Sequence, residues 1–319
     1  MPSHNIKELS QAIVNEVNRV IVGKTVVIEQ TVLALLCEGH VLIEDVPGVG
    51  KTTLAKAISR AIGGEFRRVQ FTPDLLPSDI TGTSIFNQNT REFEFKEGPL
   101  FANVVLIDEV NRATPKTQSA LLEAMEERQV TTDGVTRSLP QPFFVLATQN
   151  NIEMTGTYPL PEAQLDRFFS RVSIGYPDRD AEAEILVNQR VSHPVDTVTQ
   201  VASLEELIAA QAEVKEVNVE AKIREYIVSI VRSTRENSQL ILGSSPRGSL
   251  YVMQGAQAHA AMDGRDYVTE DDVKLVAPRV LGHRVMVRGE VRARGLSGDD
   301  IIRQIMESTA VPSGAMAGA

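Results

Sequence analysis

The stretch HVLIEDVPGVGKTTLAKAISRAIGG, residues 40–64, constrains this chain more than any other. It reads as a short apolar strand, a glycine-punctuated turn and a helix stopped by Gly63-Gly64. Its centre, Asp45-Val46-Pro47-Gly48-Val49-Gly50-Lys51-Thr52, follows the phosphate-loop pattern G-x-x-x-x-G-K-[ST] except that aspartate replaces the opening glycine. Such a loop holds an anion by backbone N–H groups that point inward and by the positive end of the following helix. Gly48 and Gly50 let the chain turn tightly, Lys51 supplies a point charge for β- and γ-phosphates, and Thr52 offers a hydroxyl to Mg²⁺. Asp45 sits at the loop entry, where aspartate tolerates uncommon backbone angles better than most residues.

Further apolar runs predict parallel strands buried on both faces: FRRVQF (66–71), NVVLIDE (103–109), FFVLATQN (143–150) and RVSIGYP (171–177). Alternation with helical patterns predicts a doubly wound α/β domain whose ligands sit beyond the carboxyl ends of the strands. Those ends carry Asp108 and Glu109, residues 148–150, and the loop after Glu44. Two segments interrupt the plan. Residues 83–98 alternate around an Asn-rich turn, and 128–140 contain Asp133-Gly134, a strong hairpin signal. Both predict β-hairpins standing off the sheet.

Before the glycine loop, residues 5–22 and 25–38 predict two helices. Past Asp178 the pattern turns helical, with an apolar face at Val219, Ile223, Tyr226, Ile227, Ile230 and Val231. Ser245-Pro246 reads as an N-cap and first turn, and Thr269 with Asp272 as a capping box. The expected division is an α/β nucleotide-binding domain over 1–180, a helical lid over 181–310 and a disordered tail over 311–319.

Composition narrows the classes. The 319 residues carry 42 acids against 32 lysines and arginines, a net charge of −10, which disfavours broad contact with nucleic acid or anionic lipid. The single cysteine, Cys37, allows no internal disulfide and lies in an apolar helical run. No histidine has metal-ligand spacing, and neither a signal peptide nor a membrane-length apolar run is evident, so a cytoplasmic protein is expected.

Asp108 is placed to hold Mg²⁺ through a water and Glu109 to activate an attacking water. On its own, that acidic pair would read as the surface end of a strand; following a phosphate loop, the catalytic reading prevails. Asn150 ends the next strand, where its amide can orient the water or meet the γ-phosphate. Arg167 reads either as a structural partner of Asp166 or as an arginine reaching a neighbouring subunit's nucleotide. Arg247, in the first turn of a helix, is unfavourable for the helix dipole unless an anion lies near.

Taken in order, EDVPGVGKTTLAKA, RVQFTPDLLPSDITG, GPLFANVVLIDEVNRATPKTQSALLEAMEERQVT, PFFVLATQNNIEMTGTYPLPEAQLDRF and GSSPR resemble the AAA+ ATPases, and more closely their MoxR family. With the helical lid, the resemblance covers nearly the whole chain and is most specific over 40–176. It implies Lys51 and Thr52 as Walker A residues, with Pro47, Gly48, Val49, Gly50 and Thr53 completing the nucleotide loop. It makes Asp108 and Glu109 the Walker B pair, Asn150 sensor 1, Arg167 the arginine finger and Arg247 sensor 2. Val22 and Gly23 match the segment lining the adenine. The hairpins match the helix-2 insert and the pre-sensor-1 hairpin. Asp45 is unremarkable in this family; Asn151 stands where a proline often follows sensor 1. The resemblance implies a ring, commonly a hexamer, with ATP and Mg²⁺ at each subunit interface. It also implies a chaperone-like role on protein clients, often ones with a von Willebrand A domain.

Three other readings compete. A nucleic-acid motor of the helix-2-insert group would use the basic tract of Arg279, Arg284, Arg288, Arg292 and Arg294, but an added DNA-binding domain is lacking. A nucleotide-sensing scaffold would not need Glu109. A magnesium-chelatase ATPase subunit would be expected to carry longer extra segments.

Overall fold

A computed structural model of the chain describes residues 3–150, 156–188 and 194–311. The expected departure at Asn151 lies outside them, as does all but the first residue of the tail expected to be disordered over 311–319; Val311 itself packs, partly buried, against the core. Two helices, α1 (Ser3–Asn18) and α2 (Thr25–Leu36), lead into β1 (Val41–Glu44), the glycine loop and α3 (Lys51–Ala61). Then come β2 (Phe66–Gln70), the short α4 (Pro77–Thr81) and a hairpin of β3 (Gly82–Asn87) and β4 (Glu92–Glu97). They are followed by β5 (Val104–Asp108), α5 (Pro115–Glu127) and a second hairpin of β6 (Gln129–Thr132) and β7 (Val135–Ser138). The α/β part closes with β8 (Phe144–Gln149), the single turn α6 (Glu162–Leu165) and β9 (Ser170–Val172).

Among the described residues the main sheet is parallel, in the order β2-β5-β8-β1-β9. Its central strands β1, β5 and β8 lack polar alternation because successive side chains enter two different cores. β2 departs from the expected burial on both faces: it is an edge strand, partly exposed along its length, and so it accommodates Arg67 and Arg68. Val41 and Ile43, Val104 and Leu106, and Phe144 and Leu146 join the core beneath α1–α3. Leu42, Val105, Ile107, Val145 and Ala147 join the core beneath α5, with Ile80 of α4. Each fully buried side chain of this size contributes about 1.5–3 kcal/mol, so both faces drive assembly of the same sheet. β9 is shorter than the run 171–177: its pairing with β1 ends at Ile43↔Val172, and residues 173–177 leave the sheet.

The remaining helices are α7 (Arg179–Asn188), α8 (Leu204–Val214), α9 (Ala221–Glu236), α10 (Pro246–Met262), α11 (Glu270–Leu281), α12 (Gly289–Arg292) and α13 (Gly298–Ser308). They carry one small addition, a ribbon of β10 (Leu240–Leu242) with β11 (Met286–Val287). The capping box of α11 forms as expected: Thr269 N donates to Asp272 Oδ2 at 2.7 Å and Asp272 N to Thr269 Oγ1 at 3.4 Å. Ser245 does stand at the N-cap of α10, but its hydroxyl makes no cap bond and donates to Asp166 Oδ2 at 3.0 Å.

Both hairpins form. Asp133 (φ 55°) and Gly134 (φ 74°) adopt the left-handed pair that a tight two-residue turn requires. At the root of the first hairpin Gly82 and Gly98 are obligatory, since a Cβ would lie 2.5 Å from Lys96 O and 2.3 Å from Ile80 O respectively. The hairpins are linked: the Arg137 guanidinium lies 3.8 Å from the Phe95 ring centroid, a contact favourable by about 0.5–2 kcal/mol. The sequence gives Phe93 and Phe95 equal standing on one strand face. The structure separates them: Phe95 packs under Arg137 and against Phe101, whereas Phe93 is 74% exposed and meets Phe86.

Phe169 joins the sheet to the C-terminal helices. Its N–H donates to His40 O at 2.8 Å, its ring meets Tyr251 of α10 edge to face at 5.4 Å, and Gly39 and Gly255 leave room for it. Phe169→Ala is expected to destabilise the protein by about 3–5 kcal/mol, read as a lowered denaturant midpoint; a loss under about 1 kcal/mol would show that this packing is not structural.

Candidate functional site

The carboxyl ends of β1, β2, β5 and β8 surround one polar cavity of about 420 Å³ at the glycine loop. Pro47, Gly48, Gly50, Lys51, Thr52, Thr53, Asp108, Glu109 and Asn150 line it, so most of the expected site residues meet in one place. Gly48 (φ 86°) and Gly50 (φ 94°) take left-handed backbone angles that only glycine adopts readily, which turns the loop into the start of α3. Lys51 Nζ donates to the carbonyls of Asp45 (2.9 Å) and Val46 (3.2 Å). Burial pulls this ammonium below the usual lysine value, against the carboxylates of Asp45, Asp108 and Glu109, which favour its charge.

Asp45 itself departs from expectation. It is not among the residues with left-handed backbone, so its position needs no glycine and no special tolerance. Its side chain works instead: Oδ2 accepts from the N–H groups of Ile174 (2.5 Å) and Gly175 (2.7 Å) and from Ser173 Oγ (3.2 Å).

The acidic pair is more elaborately held than its sequence suggests. Asp108, 7% exposed, accepts from Arg68 Nε at 2.6 Å and from Thr148 Oγ1 at 3.2 Å. Glu109 turns into left-handed backbone (φ 56°); its N–H donates to Thr148 Oγ1 at 2.9 Å. Glu109 Oε2 accepts from Gln70 Nε2 (2.8 Å) and pairs with Arg112 Nε (2.9 Å). Thr148 was expected at this end of the sheet, though without a role; Arg68 and Gln70 are the site residues that sequence reasoning missed. The available signal was the sheet itself: β2 lies beside β5 with Gln70 opposite Asp108, so residues at the end of β2 must face the acidic pair.

A second, more apolar cavity of about 370 Å³ adjoins the first, sharing Gly48, Gly50 and Thr53. Val20–Val22, Lys24 and Val49 line one side; Ile174–Pro177 and, from α7, Glu182, Ile185 and Leu186 line the rest. Val22 therefore stands where a base was expected to sit, and Val49 faces this lobe. Gly23 (φ 74°) makes the turn behind it, with Ala181 Cβ 3.2 Å from where a Cβ would be. The contribution of 174–177 and α7 was not legible from the motifs.

Arg167 and Arg247 lie elsewhere: neither lines the polar cavity. Both converge on Glu126 of α5. Arg167 Nη1 is 2.7 Å from Glu126 Oε2 and donates to Leu122 O at 2.9 Å, while Arg247 Nη2 pairs with Glu126 Oε1. Of the two readings of Arg167, the structural pairing is present, with Glu126 rather than Asp166. Asp166 pairs instead with Arg284 Nε at 2.9 Å, and Arg247 Nη1 approaches it at 3.8 Å. Arg284 is only 6% exposed; burial pulls its guanidinium down to about 10, against the Asp166 carboxylate, so it stays charged at neutral pH. Arg284 is thus internal to the basic tract, which is not one continuous exposed strip.

Other clusters hold less. His259, Asp263 and Asp272 lie close enough to suggest a cation site, but the Arg265 guanidinium already bonds Asp272 at 2.6 and 2.7 Å and Asp263 at 3.1 Å. A cavity of about 240 Å³ at the opposite end of β8 contains Arg128 and Lys215, yet Arg128 donates to the carbonyls of Phe143 and Glu38, and Lys215 pairs with Glu38. No helix among the described residues is long and apolar enough to cross a membrane.

Comparison with known proteins fits this geometry. Residues 40–170 match the family model "ATPase family associated with various cellular activities (AAA)", and residues 232–305 match an AAA lid domain. Chaperone MoxR1 of Mycobacterium tuberculosis is 42% identical over 93% of this chain and 81% of its own length. Protein MoxR of Methylorubrum extorquens is 30% identical over 93% of each. Protein YeaC of Bacillus subtilis, of uncharacterised function, is 52% identical over 94% and 93%. A crystal structure of a candidate ATPase from Cytophaga hutchinsonii superposes with a TM-score of 0.90 at 37% identity, covering 98% of this chain and 97% of that one.

Because Thr148 fixes both members of the acidic pair, Thr148→Val is expected to slow nucleoside-triphosphate hydrolysis about 10- to 100-fold with little change in nucleotide affinity. Unchanged turnover in a phosphate-release assay would remove Thr148 from the site.

Proposed function

The chain belongs to the MoxR family of AAA+ ATPases, and on that premise we propose that it works as a ring, hydrolysing ATP at subunit interfaces to remodel partner proteins. ATP hydrolysis is the family's chemistry. The observation that carries the placement is the convergence of Lys51, Thr52, Asp108, Glu109 and Asn150 on one polar cavity beside an apolar lobe at Val22. Triphosphate would lie on the loop N–H groups and Lys51, with the base in the apolar lobe.

A threonine hydroxyl and a carboxylate at the same cavity are the hard oxygen donors that magnesium takes. Thr52 would hold the ion and Asp108 would reach it through water; when bound, it neutralises charge on the phosphates. Glu109 accepts a proton from the attacking water, whose oxygen bonds to the γ-phosphorus as the bond to the β–γ bridging oxygen breaks, leaving ADP and phosphate. Asn150 orients that water.

Arg167 and Arg247 are read as acting on a neighbour's nucleotide. That reading is supported by two guanidiniums meeting on one partly exposed carboxylate, away from the chain's own loop. The client reading draws on the chaperone name of the Mycobacterium tuberculosis relative and on the exposed Phe93, Phe86 and Ile85 of the first hairpin. A client with a von Willebrand A domain is the finer form of that reading, and it rests on family resemblance. The burial of Arg284 weighs against the nucleic-acid motor.

Lys51→Ala is expected to abolish ATP binding. Glu109→Gln is expected to bind ATP yet lose at least about 100-fold in turnover; a wild-type rate would refute its catalytic role. Arg167→Ala is expected to bind ATP but not hydrolyse it. Mixing it with Lys51→Ala subunits should restore part of the activity, and mixtures as inactive as the separate variants would refute a neighbour-directed arginine.

A further inference from the structure

The aspartate at the head of the phosphate loop has a task that no loop glycine could perform. The backbone of Asp45 continues β1 on one side only: its N–H donates to Gln149 O of β8 at 3.3 Å. On the other side the pairing of β1 with β9 has ended at Ile43↔Val172. The next amides of that edge segment, at Ile174 and Gly175, no longer face a strand carbonyl. The Asp45 carboxylate takes both of them, at 2.5 and 2.7 Å, and Ser173 Oγ at 3.2 Å. Its second oxygen accepts from Val46 N at 2.9 Å, which fixes the side chain to the loop itself. Hydrogen bonds to an ionised acceptor are roughly twice as strong as neutral ones, so this is a firm attachment.

What it attaches is the wall of the apolar lobe. Ile174, Gly175, Tyr176 and Pro177 line that lobe opposite Val20–Val22. Lys24 Nζ also straps the wall, donating to Tyr176 O at 2.8 Å. We propose that Asp45 is a positioning residue for the nucleoside half of the ligand: its carboxylate clamps the 173–177 wall to the phosphate loop and so sets the width of the lobe that receives the base. This rests on the nucleotide site proposed above, and it assigns base affinity to a residue of the phosphate-loop motif that touches neither base nor phosphate.

Asp45 also lies near Lys51, whose ammonium it favours. If its role ran through that charge, its loss would weaken phosphate binding. The two roles separate when ADP is compared with inorganic tripolyphosphate, which has no base. Calorimetric titration of both ligands, with magnesium, into wild type, Asp45→Ala and Asp45→Asn gives the test. Asp45→Ala is expected to weaken ADP about tenfold while tripolyphosphate changes by less than about twofold. Asp45→Asn keeps one acceptor for the two amides and falls between; should the alanine variant not fold, the asparagine variant carries the comparison. Equal weakening of both ligands would overturn the proposal in favour of the lysine route, and unaltered ADP affinity would overturn it outright. Failure of wild type to bind ADP at all would instead sink the nucleotide site, and this inference with it.

Discussion

Burial of the parallel sheet on both faces dictates where chemistry can happen in this molecule. A strand covered on two sides tolerates no polar side chain along its middle, because each would enter an apolar core without a partner. In the central strands polar groups are therefore confined to the ends, and at the carboxyl ends they meet the glycine loop, the start of α3 and the polar side chains of the edge strand β2. Register does the rest. Gln70 stands opposite Asp108, and Glu44 opposite Gln149, so the acidic pair and its supports are gathered by strand pairing before any ligand is present. A slip of one residue in β5 would exchange its two apolar sets between the cores and turn Asp108 away from the loop.

Much of this was legible in the residues. The glycine loop, the apolar runs and the Asp-Gly turn each have a local physical cause, and the structure places each where that cause requires. What the sequence withheld was pairing between distant segments. Nothing in FRRVQF announces that Arg68 and Gln70 will steady Asp108 and Glu109, since that follows only from β2 lying beside β5. Asp166 was the partner named for Arg167 because it is adjacent in sequence, whereas Glu126 comes from α5, much earlier in the chain. Asp45 was read as a tolerated exception, whereas its carboxylate holds three donors from residues far along the chain. The lobe at Val22 was anticipated on one side only, because the opposite wall carries no motif.

The corner between the sheet and the C-terminal helices is assembled from charge as well as apolar packing. Asp166 receives Ser245 and Arg284 from the helical part, and Glu126 receives Arg167 from the α/β part and Arg247 from α10. Arg284 is buried, so removing Asp166, its partly exposed partner, would leave a guanidinium in the interior without a carboxylate. The Glu126 contacts are about one-third exposed and correspondingly weaker. One set of bonds thus fixes the corner from within, while the other holds two arginines together nearer its surface.

α1 packs along α10, with Lys7 Nζ donating to Asp263 O at 3.2 Å, and its residues share one continuous core with Val252 and Ala256. Shortly after its end the chain becomes the Val20–Lys24 side of the apolar lobe. A tilt of α10 would therefore carry α1 with it, and through α1 the Val20–Lys24 side of the apolar lobe. Helix packing far from the glycine loop is in this way joined to the shape of the cavity beside it, through a continuous run of buried side chains and a few residues of chain.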